Sequence, residues 1–110
     1  MSAVSHWKTQ RRTAVALIPL TLWLLFSVAS LSTAEYEVAR AWIAQPLTAA
    51  MLFLFVAIAG HHAYLGIQVV LEDYLQEPQR GRAILFGRLL LGAATLLSIF
   101  AIYTITTGGV

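Results

Sequence analysis

Residues 41–71 read AWIAQPLTAAMLFLFVAIAGHHAYLGIQVVL, and no charged side chain interrupts them. A helix rising about 1.5 Å per residue needs about 20 apolar residues to cross about 30 Å of hydrocarbon, so this stretch is long enough to span a bilayer. Two further uncharged runs flank it, Thr13–Ala34 and Leu89–Val110. The chain has 110 residues, of which 59% are hydrophobic and only 11% charged. Its mean hydropathy is +0.77. A soluble core of this size cannot hide so much apolar surface, whereas lipid solvates it directly. The expected fold is an all-α membrane protein, one domain over residues 1–110, with spans at roughly 13–31, 46–73 and 83–106.

Other classes fit poorly. A cleavable signal peptide would need a shorter apolar run than the first stretch provides, and no Ala-x-Ala cleavage pattern follows it. The chain has no cysteine, which excludes disulfides, thiolate-bound iron–sulfur clusters and covalent c-type haem on this polypeptide. A formal charge of +2, scattered along the chain, does not make a nucleic-acid surface.

Around the spans, residues 1–12 read as a polar, basic tail with Lys8, Arg11 and Arg12, and Trp7 suits an interfacial belt. Pro19 lies inside the first span, where its ring removes one backbone hydrogen bond. Ser32-Thr33-Ala34-Glu35 has capping-box spacing and predicts a short interfacial helix, with Tyr36 and Trp42 as headgroup anchors. Gln45-Pro46 favours the start of the second long helix, and residues 77–82 form a polar turn. One face of the membrane would hold Lys8, Arg11, Arg12, Arg80, Arg82 and Arg88, and the other only Arg40 beside Glu35 and Glu37. The positive-inside bias then places the N-terminus in the cytoplasm and the C-terminus outside.

Two histidines, His61 and His62, sit in the apolar middle span, where polar residues are costly and face a partner, a cofactor or water. At about 100° per residue, His62, Gly66, Val69 and Asp73 fall within roughly 60° of one another, while His61 projects about 100° away. Adjacent helical residues therefore cannot both bind one haem iron from opposite sides. Gly66, one turn after His62, leaves room for a flat macrocycle and favours His62 as the ligand. The same glycine also suits close helix packing, and interhelical hydrogen bonding is the more frequent use of a membrane histidine. Asp73 and Tyr74 lie about 16 Å further along the axis. On physics alone, Glu72 and Asp73 are solvated acids near Arg80 or Arg82, and Tyr74 is a belt tyrosine.

The string His62…Gly66…Asp73-Tyr74, with Arg11-Arg12-Thr13-Ala14-Val15 entering the first span, resembles the hydrophobic membrane anchor subunits of succinate dehydrogenase, the smaller cytochrome b anchors of respiratory complex II. Length, span count and orientation agree with that family over nearly the whole chain. The resemblance implies three transmembrane helices packed against a partner three-helix cytochrome b anchor, in a bacterial inner membrane, with flavoprotein and iron–sulfur subunits docked on the cytoplasmic side. It implies that His62 is one axial ligand to the iron of a shared haem b, with Gly66 under the haem face and Arg11 near a propionate, in competition with Arg12. It implies that Tyr74 hydrogen-bonds ubiquinone and that Asp73 supports that site and its proton delivery. His61 has no role in the motif. Such a chain carries out no succinate oxidation of its own in the tricarboxylic acid cycle, because it has no dinucleotide-binding glycine fingerprint and no domain for flavin. The anchor of a quinol:fumarate reductase is a near relative. A small transport or assembly subunit is the reading from another class, and it lacks the mid-membrane ionisable path and internal repeat that transport favours.

Overall fold

The computed structural model describes residues 3–109; Met1, Ser2 and Val110, assigned above to the terminal tails, lie outside the described residues. Without water to solvate backbone amides, an apolar run crosses a membrane only by satisfying its own N–H and C=O groups, which a helix does. The chain accordingly forms α1 (Ala3–Ser30), α2 (Tyr36–Ala44), α3 (Pro46–Tyr74) and α4 (Gln79–Thr106). α1, α3 and α4 are long and apolar enough to span a membrane, as the uncharged runs predicted. The molecule is 49 Å along its longest axis, close to the about 40–45 Å of a bilayer with its headgroups.

α3 is the centre of a row. It packs against α1 on one side and α4 on the other, while α1 and α4 make no packing contact among the described residues. α3 and α4 approach closely at Gly60, where a Cβ would fall 2.5 Å from Thr95 Oγ1. A side chain there would push the helices apart, which is why glycine suits the crossing. A row of three helices buries little of itself. Only Leu65 and Thr48 are fully buried among the described residues, and Ile18, Phe26, Phe86, Leu97 and Phe100 are all more than half exposed. Such surface is stable against lipid tails or a second apolar protein, because hydrocarbon solvates it as well as a core does.

The ends differ from the expectations in instructive ways. Residues 3–12 are helical rather than a tail, since α1 continues outward past the first charge-free residue, Thr13. The capping box does not form. The residue before α2 is Glu35, and no side chain caps that helix. Ser32 instead donates its hydroxyl to the Ala29 carbonyl at 2.9 Å, joining its own backbone N–H, which reaches the same oxygen at 3.3 Å, at the end of α1. Trp42 of α2 is half-buried against Trp23 of α1, with ring centroids 5.6 Å apart, so it closes the far end of the bundle as well as marking the interface. Pro46 opens α3 as its first residue, where no amide hydrogen is needed. The polar turn is shorter than predicted because α4 already begins at Gln79. Arg88, counted above with the loop arginines, therefore lies within α4, roughly 14 Å from its start. Its guanidinium donates to the Tyr64 hydroxyl at 2.9 Å.

Candidate functional site

The seam between α1 and α3 brings together polar groups from two of the spans. Thr13 of α1 and His62 of α3 meet within it. Thr13 Oγ1 lies 2.9 Å from His62 Nδ1. The same oxygen lies 2.9 Å from the carbonyl of Thr9 and 3.0 Å from that of Gln10, one turn back on α1. The interhelical hydrogen bonding expected of a membrane histidine is thus present at one ring nitrogen. Among the described residues, the other nitrogen, Nε2, has no protein hydrogen-bond partner.

His62 is half-buried and opens onto two apolar hollows. One runs toward Gly66, Ile67 and Val70 with Gln10 at its edge. The other runs along α1 past Ala14, Leu17, Ile18 and Thr21. The second lies between α1 and His62, and the first reaches round α3 to Ile67, which packs near Gly87 of α4. Further along the seam, a cavity of about 480 Å³ is lined by His6, Trp7 and Gln10 of α1 and by Gly66, Glu72 and Asp73 of α3. The start of α1 therefore meets the end of α3, and the stripe His62–Gly66–Asp73 follows one continuous seam, as the helical spacing predicted.

What lies over Gly66 is specific. A Cβ there would fall 3.1 Å from Gln10 Nε2, so the glycine admits the glutamine amide between the helices. Gln10 Oε1 is buried without a hydrogen-bond partner among the described residues. A buried amide oxygen left unpaired costs about 1–3 kcal/mol, which marks this point as one where a further donor would be stabilising.

The remaining predicted residues lie elsewhere. Tyr74 ends α3 and is 82% exposed; it does not line the cavity that Asp73 lines, because successive helical residues diverge by about 100°. Arg11 faces away from His62, stacking its guanidinium over Trp7 at 5.1 Å and bordering a shallow hollow with Arg12 and Val15. His61 is exposed on the α4 side, in a hollow with Tyr64 and Arg88. Glu72 accepts a hydrogen bond from Gln68 at 2.8 Å. Arg80 pairs with Glu77 at 3.1 Å rather than with Asp73 or Glu72. The near neighbour wins because a pair three residues apart closes with little loss of side-chain freedom.

Sequence reasoning missed His6, Gln10 and Thr13. Their spacing of four and three residues puts them on one face of a helix, and that pattern was there to be read. It is meaningful only if residues 3–12 are helical.

Comparison with known proteins agrees with this architecture. Residues 2–106 match the family of succinate dehydrogenase/fumarate reductase transmembrane subunits. The chain is 34% identical over 74 residues to the succinate dehydrogenase hydrophobic membrane anchor subunit of Rickettsia bellii, covering 67% of this chain and 59% of that protein. It is 31% identical over 74 residues to that of Rickettsia felis, covering 67% and 62%. With the Paracoccus denitrificans subunit of the same name, 28% identity extends over 105 residues, 96% of this chain and 81% of the relative. The chain thus spans about three-fifths of the Rickettsia relatives' length, and the family match takes in nearly the whole of this chain. It is a multi-pass membrane protein, and it belongs to the succinate dehydrogenase/fumarate reductase transmembrane subunit family.

Proposed function

We propose that this chain is the membrane anchor of a succinate:quinone oxidoreductase, supplying one axial ligand to a haem b and part of a ubiquinone site. The observation that carries the reading is His62 within a membrane-spanning helix, its ring bordering two apolar hollows and, among the described residues, hydrogen-bonded through Nδ1 alone. A neutral imidazole is a suitable donor in a dry site, since it offers a lone pair without bringing a charge out of water. The uncovered α1–α3 face is the surface on which a second, cytochrome b anchor subunit would pack and complete the coordination.

A bound haem supplies a one-electron relay. The chain's own residues do the rest. His62 would hold the iron, and the apolar residues of the hollows beside it would keep water away. The cavity ending at Asp73 lies where the helices reach the headgroups, the depth at which a quinone head can meet electrons from a docked iron–sulfur subunit. Tyr74, exposed beside that opening, would donate its phenol hydrogen bond to a quinone carbonyl. The Asp73 carboxylate, with His6 of α1 lining the same cavity, would hold or pass a proton as quinone becomes quinol. The names of the matched relatives favour succinate oxidation over fumarate reduction. Arg11, stacked on Trp7, would be drawn to a haem propionate only by leaving that ring.

Purification of the tagged chain from membranes tests the assignment. A flavoprotein, an iron–sulfur protein and a second small anchor are expected in the preparation, with a b-type pyridine haemochrome. A chain that purifies without flavin or iron–sulfur partners is not an anchor of this kind.

The orientation has its own measurement. With Lys8, Arg11, Arg12, Arg80 and Arg82 at one end of the bundle, a periplasm-active reporter fused after the C-terminus should be active and a cytoplasm-active one silent. The reverse pattern would invert the topology and place Asp73 and Tyr74 on the wrong side for the soluble subunits.

A further inference from the structure

We infer that Thr13 fixes the tautomer and ring orientation of His62, holding Nδ1 protonated so that Nε2 presents its lone pair to the haem iron. The inference rests on His62 being the haem ligand, as proposed above, and goes beyond it by assigning a positioning residue on a different helix.

Thr13 Oγ1 has three polar neighbours at hydrogen-bond distance: the carbonyls of Thr9 and Gln10 and His62 Nδ1. A hydroxyl has one hydrogen and two lone pairs, and a carbonyl oxygen can only accept. If the hydroxyl donated to Nδ1, its lone pairs would face both carbonyl oxygens at 2.9 and 3.0 Å with no hydrogen between them. If the hydroxyl donates back into α1, as threonine does inside helices, its one hydrogen lies between Oγ1 and the carbonyls, and a lone pair remains for Nδ1. Nδ1 must then carry the hydrogen. A neutral imidazole has one N–H, so the nitrogen left with a lone pair is Nε2, on a ring that borders both hollows.

The bond does more than select a tautomer. It ties the ring to α1, which cannot move without α3 because the two are packed along the seam. An acceptor on the far N–H also makes an imidazole a stronger donor, and such partners commonly account for about 10–100-fold in metal affinity. A stronger donor favours the ferric over the ferrous state. Thr13 should therefore lower the haem potential as well as tighten its binding.

Thr13→Val replaces the hydroxyl with a methyl of nearly the same shape. In the purified complex with its partner subunits, we expect haem affinity to fall about 10-fold or more. The midpoint potential should move positive and the ferric low-spin EPR g-values should change, since these report ring orientation and donor strength. Thr13→Ser, which keeps the hydroxyl, should restore all three. Unchanged affinity, potential and g-values in Thr13→Val overturn the inference. His62→Ala, measured in parallel, separates the two levels. Loss of the low-spin haem in His62→Ala with a silent Thr13→Val refutes the role of Thr13 alone, whereas a low-spin haem surviving His62→Ala refutes both. Thr13→Ala is prepared alongside, so that poor assembly of the valine variant does not decide the matter. If both hydroxyl-free variants fail to assemble while serine is normal, the hydroxyl is required for assembly itself rather than for the haem, and the inference falls.

Discussion

In the assembled complex, His62→Ala removes the low-spin b-type haem spectrum almost completely, while the subunits remain associated. Low-spin iron needs a strong donor on each face, and alanine leaves one face without any. The chain has no substitute at hand. His61 is adjacent in sequence, but it projects about 100° around the helix and lies in the hollow on the α4 side with Tyr64 and Arg88. His6 lines the cavity at the other end of the seam, separated from His62 by the Gln10 amide that lies over Gly66. His61→Ala should accordingly leave the spectrum as it is. Optical difference spectra and haem-to-flavin ratios of the two purified variants make the comparison. An unchanged spectrum in His62→Ala would end the ligand assignment, and a loss in His61→Ala alone would transfer it to the other face of α3.

Tyr74→Phe lowers quinone reduction about tenfold while succinate oxidation with a non-quinone acceptor is retained. A neutral hydrogen bond contributes about 0.5–1.5 kcal/mol, and a factor of ten corresponds to about 1.4 kcal/mol. The effect is confined to one hydroxyl, because Tyr74 is 82% exposed at the end of α3 and supports none of the packing between helices. Phenylalanine keeps the ring and its place at the interface. Parallel assays with a ubiquinone analogue and with an artificial dye acceptor read the difference directly. Equal losses in both would mean that the complex assembles badly, and no loss in either would remove Tyr74 from the quinone site. Asp73 lines the seam cavity while Tyr74 does not, so a quinone that used both would have to lie across the end of α3 rather than along one side of it.

The parts of the site were unequally legible. His62, Gly66 and Asp73 could be placed on one stripe because a helix repeats every 3.6 residues whatever surrounds it, and the observed seam follows that stripe. Gly66 could be read as a place where something must come close, but the glutamine amide that comes close belongs to another helix. Gln10 was passed over because residues 1–12 looked like a solvated tail, and Thr13, read as the first residue of the span, was given no role because its partner lies on another helix. Charge marks where a span leaves the hydrocarbon, not where its helix stops, and α1 runs through Lys8, Arg11 and Arg12 without a break. Arg88 was misjudged for the converse reason. It is a charge inside a helix, and its pairing with Tyr64 depends on how α4 lies against α3. Ser32 was assigned to the helix ahead of it and instead serves the one behind, since both helix ends compete for the same hydroxyl and only their spacing in three dimensions settles the outcome.

By itself, the sequence determined the membrane class, the number of spans and which residues share a face of α3. Each of these follows from local physics: transfer of side chains to hydrocarbon, the rise per residue and the helical period. Only the tertiary structure decided which faces meet. It placed α3 between α1 and α4, left one side of the α1–α3 pair open, and brought Thr13 within 2.9 Å of His62 across 49 residues of chain. Helical periodicity says where a side chain points on its own helix and nothing about its partner, so the contact that orients the imidazole could come only from the packing of α1 on α3.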